Sequence, residues 1–173
     1  MISWDRCGDS TYIGILSGYE IDVLRSYVDG LAKLIDHHLS SFITAPDGTL
    51  WPSPELRQDL RIDTILRFEL GQHEPDWVLS FSAGSCLSDI SRQVQLMASA
   101  LPASGGVVQL NSRDEADAWL RCISLVVATI ATVADERGEV RGKPCEPTVA
   151  WLTEVWAGLH ATLGSCTTSA PAG

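Results

Sequence analysis

A chain of 173 residues with 45% apolar and 20% charged residues has the balance of one folded domain with a single core, not of a disordered polymer. Its 22 acids against 12 Lys and Arg leave a net charge of −10, a field that repels nucleic-acid phosphates and anionic membranes. The start, MISWDRCGDS, has no basic segment leading into an apolar run, and no stretch approaches the ~20 apolar residues that cross a bilayer, so a soluble cytoplasmic protein with no membrane contact is expected.

Thr11 to Leu16 is short, apolar and partly β-branched, and reads as a strand. Ser17 and Glu20 then stand at the spacing of a capping box, in which each side chain satisfies the other residue's backbone N–H. A helix is predicted from there to about His38. Ile21, Leu24, Val28, Leu31 and Ile35 recur at three- and four-residue steps and give it one apolar face, with Gly30 off that stripe. The segment from Phe42 to Ser53 carries the turn residues Pro46, Asp47 and Gly48 and reads as a loop. Ser53, Pro54 and Glu55 supply a cap, a first-turn proline and a first-turn acid. They predict a second helix over 54–70, with the thin stripe Leu56, Leu60, Ile65 and Leu66 of an exposed helix.

The run from Gly71 to Trp77 breaks that helix. A third is predicted from near Ala83 to near Leu101 on the spacing of Leu87, Ile90, Val94, Met97 and Leu101. Val107 to Leu110 reads as a second strand, expected to pair with the first in a two-stranded ribbon that needs helices packed on it. Ser112 and Glu115 repeat the capping-box spacing, and Asp114 and Asp117 place negative charge in the first turns, where the helix dipole favours it. The broad face of Ala116, Trp119, Leu120, Ile123, Val126, Val127, Ile130 and Val133 marks this as the expected central helix, stopped by Gly138. A polar loop leads to a last helix from Pro147, closed by Gly164. The expected fold is mainly α: about five helices packed around a central helix, with a small two-stranded β element. It forms a single helical domain over 1–166, followed by a disordered tail over 167–173.

G-x-S-x-G, the P-loop and G-x-G-x-x-G do not occur, so no catalytic residue and no cofactor is assigned. Asp114, Glu115 and Asp117 are explained by capping, not by acid–base chemistry. Adjacent His37 and His38 point about 100° apart on a helix, so they read as cations at its negative end and not as ligands of one metal. His73 and His160 are isolated, and no metal site is expected. Arg137, Arg141 and Lys143 are diluted by Glu139 and read as a solvated loop, so direct nucleic-acid binding is not expected. The five cysteines, Cys7, Cys86, Cys122, Cys145 and Cys166, are widely spaced, and none forms C-x-x-C. Cys122, at the edge of the central stripe, reads as buried filling. Cys145, behind Lys143 and near a helix N-terminus, and Cys7, beside Arg6, are the better reactive thiols. Cys7, Cys145 and Cys122 are therefore the redox candidates. Among six tryptophans, Trp119 and Trp156 fit core stripes, whereas Trp51, Trp77 and Trp151 fit less well and are candidates for a partner surface or a pocket.

Four pieces in order resemble the actinobacterial domain-of-unknown-function family DUF2017. They are Trp4 with Arg6, the segment YEIDVLRSYVDGLAKLI, the segment VVQLNSRDEADAWLRCI, and the WL pair in VAWLTEVWAGL. The likeness spans most of the chain and is loosest from Phe42 to Ala103. It implies a small helical regulator of oxidative-stress transcription, with redox-sensing cysteines and a partner in the transcription machinery. The leading expectation is a non-enzymatic regulatory or adaptor protein acting through protein contacts, redox-linked as the resemblance implies. Its acidity favours a basic protein partner over DNA. The alternative is a small-molecule or peptide-binding accessory protein, or an enzyme of a specialised biosynthetic pathway, which would carry a deep pocket between helices. A homodimer is left open.

Overall fold

The computed structural model of the chain describes residues 4–8, 10–54, 56, 58–136 and 147–164, the side chains of 133–136 excepted. In chain order the elements are β1 (Trp4–Cys7), β2 (Thr11–Leu16), α1 (Gly18–Leu39), β3 (Phe42–Thr44), β4 (Leu50–Pro52), α2 (Leu60–Leu70), α3 (Asp76–Ala100), β5 (Gly106–Leu110), α4 (Arg113–Glu136) and α5 (Pro147–Gly164). The fold is mainly α, with five helices among the described residues. The predicted ends of α4 and of the tail, at Gly138 and 167–173, lie outside those residues, as do Arg137, Arg141 and Lys143.

The expected ribbon is one strand short. β2 does pair with β5, Tyr12 opposite Leu110 and Leu16 opposite Gly106, and β1 adds a third antiparallel strand on the other edge of β2. Alternation gives this sheet two unlike faces. Tyr12, Leu16, Val108 and Leu110 point into the core, while Ile15 and Val107, opposite each other, stand exposed. Trp4 of β1 also points inward, directly across from Gly14. A Cβ at Gly14 would lie 2.9 Å from the indole ring, so glycine is what lets Trp4 lie across the strand. Trp4 then meets the fully buried Trp119 edge to face, centroids 5.7 Å apart.

α1 begins as its sequence predicts. Glu20 N donates to Ser17 Oγ at 3.3 Å and Ser17 N donates to Glu20 Oε2 at 2.7 Å. The cap of α4 is half of that motif: Glu115 N donates to Ser112 Oγ, but the Glu115 carboxylate accepts from the N–H of Asn111, one residue further out. The second helix is where the prediction fails. α2 starts at Leu60, not Pro54, and Asp59 caps it through the N–H of Arg61. The reason lies upstream. Phe42 to Ser53 is a β-hairpin and not a loop, closed by Gly48 at φ 84° and tied at its open end by Ser53 N donating to Ser41 O. Of the residues that follow, the described ones, Ser53, Pro54, Leu56, Gln58 and Asp59, are not helical. With the later start, Leu60 is exposed and Ile62 takes its place in the core. α3 starts at Asp76, seven residues before Ala83, because its buried stripe already begins at Leu79.

α4 packs against α2, α3, α5 and, more lightly, α1, and it touches β5. Arg121 of α4 grips Glu69 of α2 at two points, Nε to Oε1 at 2.7 Å, and this hydrogen-bonded carboxylate pushes the guanidinium pKa up. No helix among the described residues is long and apolar enough to cross a membrane.

Candidate interaction surface and adjoining cleft

The hairpin lies on α3 because Gly84 has no side chain. A Cβ there would meet Leu50 Cβ at 2.5 Å and Phe42 Cδ1 at 3.2 Å. Since Phe42 and Leu50 face the helix, strand alternation turns their neighbours Ile43 and Trp51, paired across the hairpin, to the outside. The Trp51 ring meets Phe81 of α3 edge-on, centroids 5.6 Å apart. Phe81 shares a helix face with Trp77, four residues earlier. Trp77 is 72% exposed, Phe81 62%, Ile43 58% and Trp51 49%. Single exposed apolar residues are ordinary, whereas a contiguous group of this kind is a candidate interaction surface. Exposed Asp47 at the hairpin turn puts a carboxylate at the edge of the surface, while Asp76 beside Trp77 is paired with Arg67.

Two of the three tryptophans singled out by sequence thus come together, and the third does not. Trp151 is half-buried, and its Nε1 donates to Glu20 Oε1 at 3.0 Å, fastening α5 to the first turn of α1. Burial pushes the Glu20 carboxyl up, but the hydrogen bonds from Ser17 and Trp151 outweigh it and hold the group below its usual range. A cavity of about 410 Å³ opens beside this contact, between Tyr19, Val23 and Pro147.

The thiols separate by burial. Cys122 is fully buried, and burial pushes its pKa up to about 12 against the pull of Arg121, so at neutral pH it lacks the thiolate that redox chemistry needs. Cys86 is buried too and is raised by the same cause, with the Glu69 charge adding to it. Cys7 is exposed on β1. Cys145 and Cys166 lie outside the described residues.

On its inner side the hairpin walls a cleft together with α2 and the facing ends of α1 and α3. His38, in the last turn of α1, forms its floor and is nine-tenths buried. It does not act as a cation at the helix end as its sequence position suggests. Burial pushes its pKa down, His37 adds to that, and the carboxylates of Asp59 and Asp63 oppose it. The ring packs on Phe42, centroids 5.8 Å apart. No described residue hydrogen-bonds the ring. Its nitrogens are also not among the sealed, unpartnered polar atoms, which are Trp4 Nε1, Gln93 Oε1 and Trp119 Nε1 among the described residues, so they keep some access to solvent, and the residue lines the cleft. The cleft has a lobe of about 200 Å³ beside Asp63, Arg67 and Ser80 and one of about 430 Å³ beside His37 and Asp59, meeting at His38, Leu56 and Gln58. Arg67 is held by Asp76 at 2.8 Å, and Asp59 by Arg61 at 3.0 and 2.6 Å. The Asp63 carboxylate pairs with no cation among the described residues. Nor do those residues contain a group of three or more His, Cys, Asp or Glu arranged to hold a metal ion.

No protein family, curated protein or solved structure matches this chain. The resemblance to DUF2017 finds no support there, and the surface and the cleft are read from their own chemistry. Sequence reasoning missed Phe81, Ile43 and His38. The signal for His38 was present: it stands three residues after Ile35 and continues the buried stripe of α1.

Proposed function

We propose that this protein is a non-enzymatic regulatory adaptor that binds a partner protein through the surface of Ile43, Trp51, Trp77 and Phe81. The observation that carries the reading is the contiguity of four large apolar side chains, each about half exposed or more, on a seat fixed by Gly84. Aromatic anchors of this kind dominate binding energy once covered, with truncation costing about 2 kcal/mol or more. Asp47 at the edge of the surface and the net charge of −10 favour a partner with basic residues around an apolar centre. In this reading α4 and the four helices packed around it are the rigid platform for the hairpin. Redox-linked regulation, as the family resemblance implies, would run through Cys7 or Cys145 and not through buried Cys122.

The test is a photocrosslinking side chain at Phe81 in cells, with exposed Gln95 on the same helix as the control position. A discrete adduct with a basic-rimmed protein from position 81, lost on Trp77→Ser, supports the reading. Equal labelling from both positions, or an adduct indifferent to Trp77→Ser, overturns it.

A further inference from the structure

We propose that the His38 cleft binds a small organic cation: an ammonium or amidinium group on a short apolar body. The inference is independent of the adaptor reading, because it rests on the inner side of the hairpin.

Three observations combine. First, His38 is a nine-tenths buried polar side chain with no hydrogen-bond partner among the described residues, its nitrogens are not sealed, and the residue lines a cavity. Buried polar groups are almost always satisfied, so such a group points to a ligand or to water. Second, among the described residues the charges around it do not balance. Arg67 and Asp76 neutralise each other, as do Arg61 and Asp59, and this leaves Asp63 as a carboxylate with no cation among those residues. A cationic group placed beside Asp63 restores the balance and can donate a hydrogen bond to the neutral imidazole that burial favours. Third, Phe42, Leu66, Leu79 and Ala83 line the same lobe and offer an apolar wall to the body of the ligand. The lobe of about 200 Å³ lies below the ~300–1,000 Å³ of drug-sized pockets, which fits a ligand of single-ring size.

The probe is benzamidine, with benzoate and benzyl alcohol as controls of the same shape and different charge. The readout is the ring signals of the four histidines in a ¹H–¹³C spectrum of the full chain. The expected result is a saturable shift confined to His38 and its neighbour His37, produced by benzamidine and not by benzoate. Asp63→Asn should weaken benzamidine about tenfold, the loss of one charge-assisted contact, while Asp63→Glu retains binding. No saturable shift, an equal response to benzoate, or unchanged affinity in Asp63→Asn would each overturn the proposal. If Asp63→Asn does not fold, the contrast between benzamidine and benzoate on the natural chain decides alone.

Discussion

Replacing Gly84 by alanine sets two effects of similar size against each other. In a helix interior, alanine is favoured over glycine by about 1 kcal/mol. At position 84 the new methyl lies 2.5 Å from Leu50 Cβ, whereas carbon atoms pack at about 3.5–4.0 Å, so the hairpin must back away by about 1 Å or more. Overpacking of this kind costs about 1–3 kcal/mol. Global stability should therefore fall only slightly, by about 0–2 kcal/mol, while the hairpin loses its seat. The decisive assay is amide hydrogen exchange. The β3 and β4 amides should lose protection by about tenfold, the equivalent of roughly 1.4 kcal/mol of local opening, while the core amides of α4 change little. Should Gly84→Ala gain the full helix benefit with hairpin exchange unchanged, the tight seat is wrong and so is the account of what presents Trp51 and Ile43.

A thiol reagent should modify Cys7 at once and Cys122 only as the protein unfolds; modification of Cys122 at a rate indifferent to stability would refute its burial. The folded pKa of Cys122 stands above the ordinary 9.0, so the stability tied to its protonated thiol is full below that value and is lost as pH rises toward about 12, which alkaline denaturation measures. His38 has the opposite sign. Its folded pKa is depressed, so its contribution is present above 6.5 and is lost as pH falls through the folded value. In an NMR titration His38 should titrate below 6.5, and Asp63→Asn should lower it further by removing an attraction; an upward move would contradict the assigned charges. Glu69→Ala should cost about 2 kcal/mol, since it strips a half-buried Arg121 of two charge-assisted bonds, and a double-mutant cycle with Arg121→Ala should show coupling where independent sites would add. Trp151→Phe keeps the ring's bulk but loses the bond to Glu20, and should lower stability by about 1 kcal/mol in a urea titration.

Much of the helical scaffold was legible because its signals repeat. The stripe of Ile21, Leu24, Val28, Leu31 and Ile35 and the pairing of Ser17 with Glu20 are local, and packing agrees with them. The signals at Ser53, Pro54 and Glu55 are equally good locally, but the Ser53 N–H is tied into the end of the hairpin by Ser41 O, and the described residues after it are not helical before Leu60. That hairpin was hard to read because three-residue strands are too short to show a period. The candidate surface inherits the same blindness. Trp51 and Trp77 stood out as tryptophans off any stripe, yet the approach of Trp51 to Phe81, beside Trp77 on α3, depends on a hairpin that sequence did not disclose. The cleft was hidden for a further reason: His38 carries two meanings, a cation at a helix end and a member of the buried stripe, and only desolvation by neighbouring elements decides between them.

The three-stranded sheet also sets an order of events. β2 finds its partner β5 only after three helices and a hairpin have intervened, and Thr162 of α5 closes the arrangement by donating to the carbonyl of Trp4. During synthesis, β1 and β2 leave the ribosome before β5 and α5, with Trp4, Tyr12 and Leu16 uncovered and one strand edge vacant. Non-local pairing of this kind is slow because a long loop must close before any contact rewards it. The β1–β2 ribbon is thus adhesive until β5 and α5 arrive, and that interval carries a risk of aggregation.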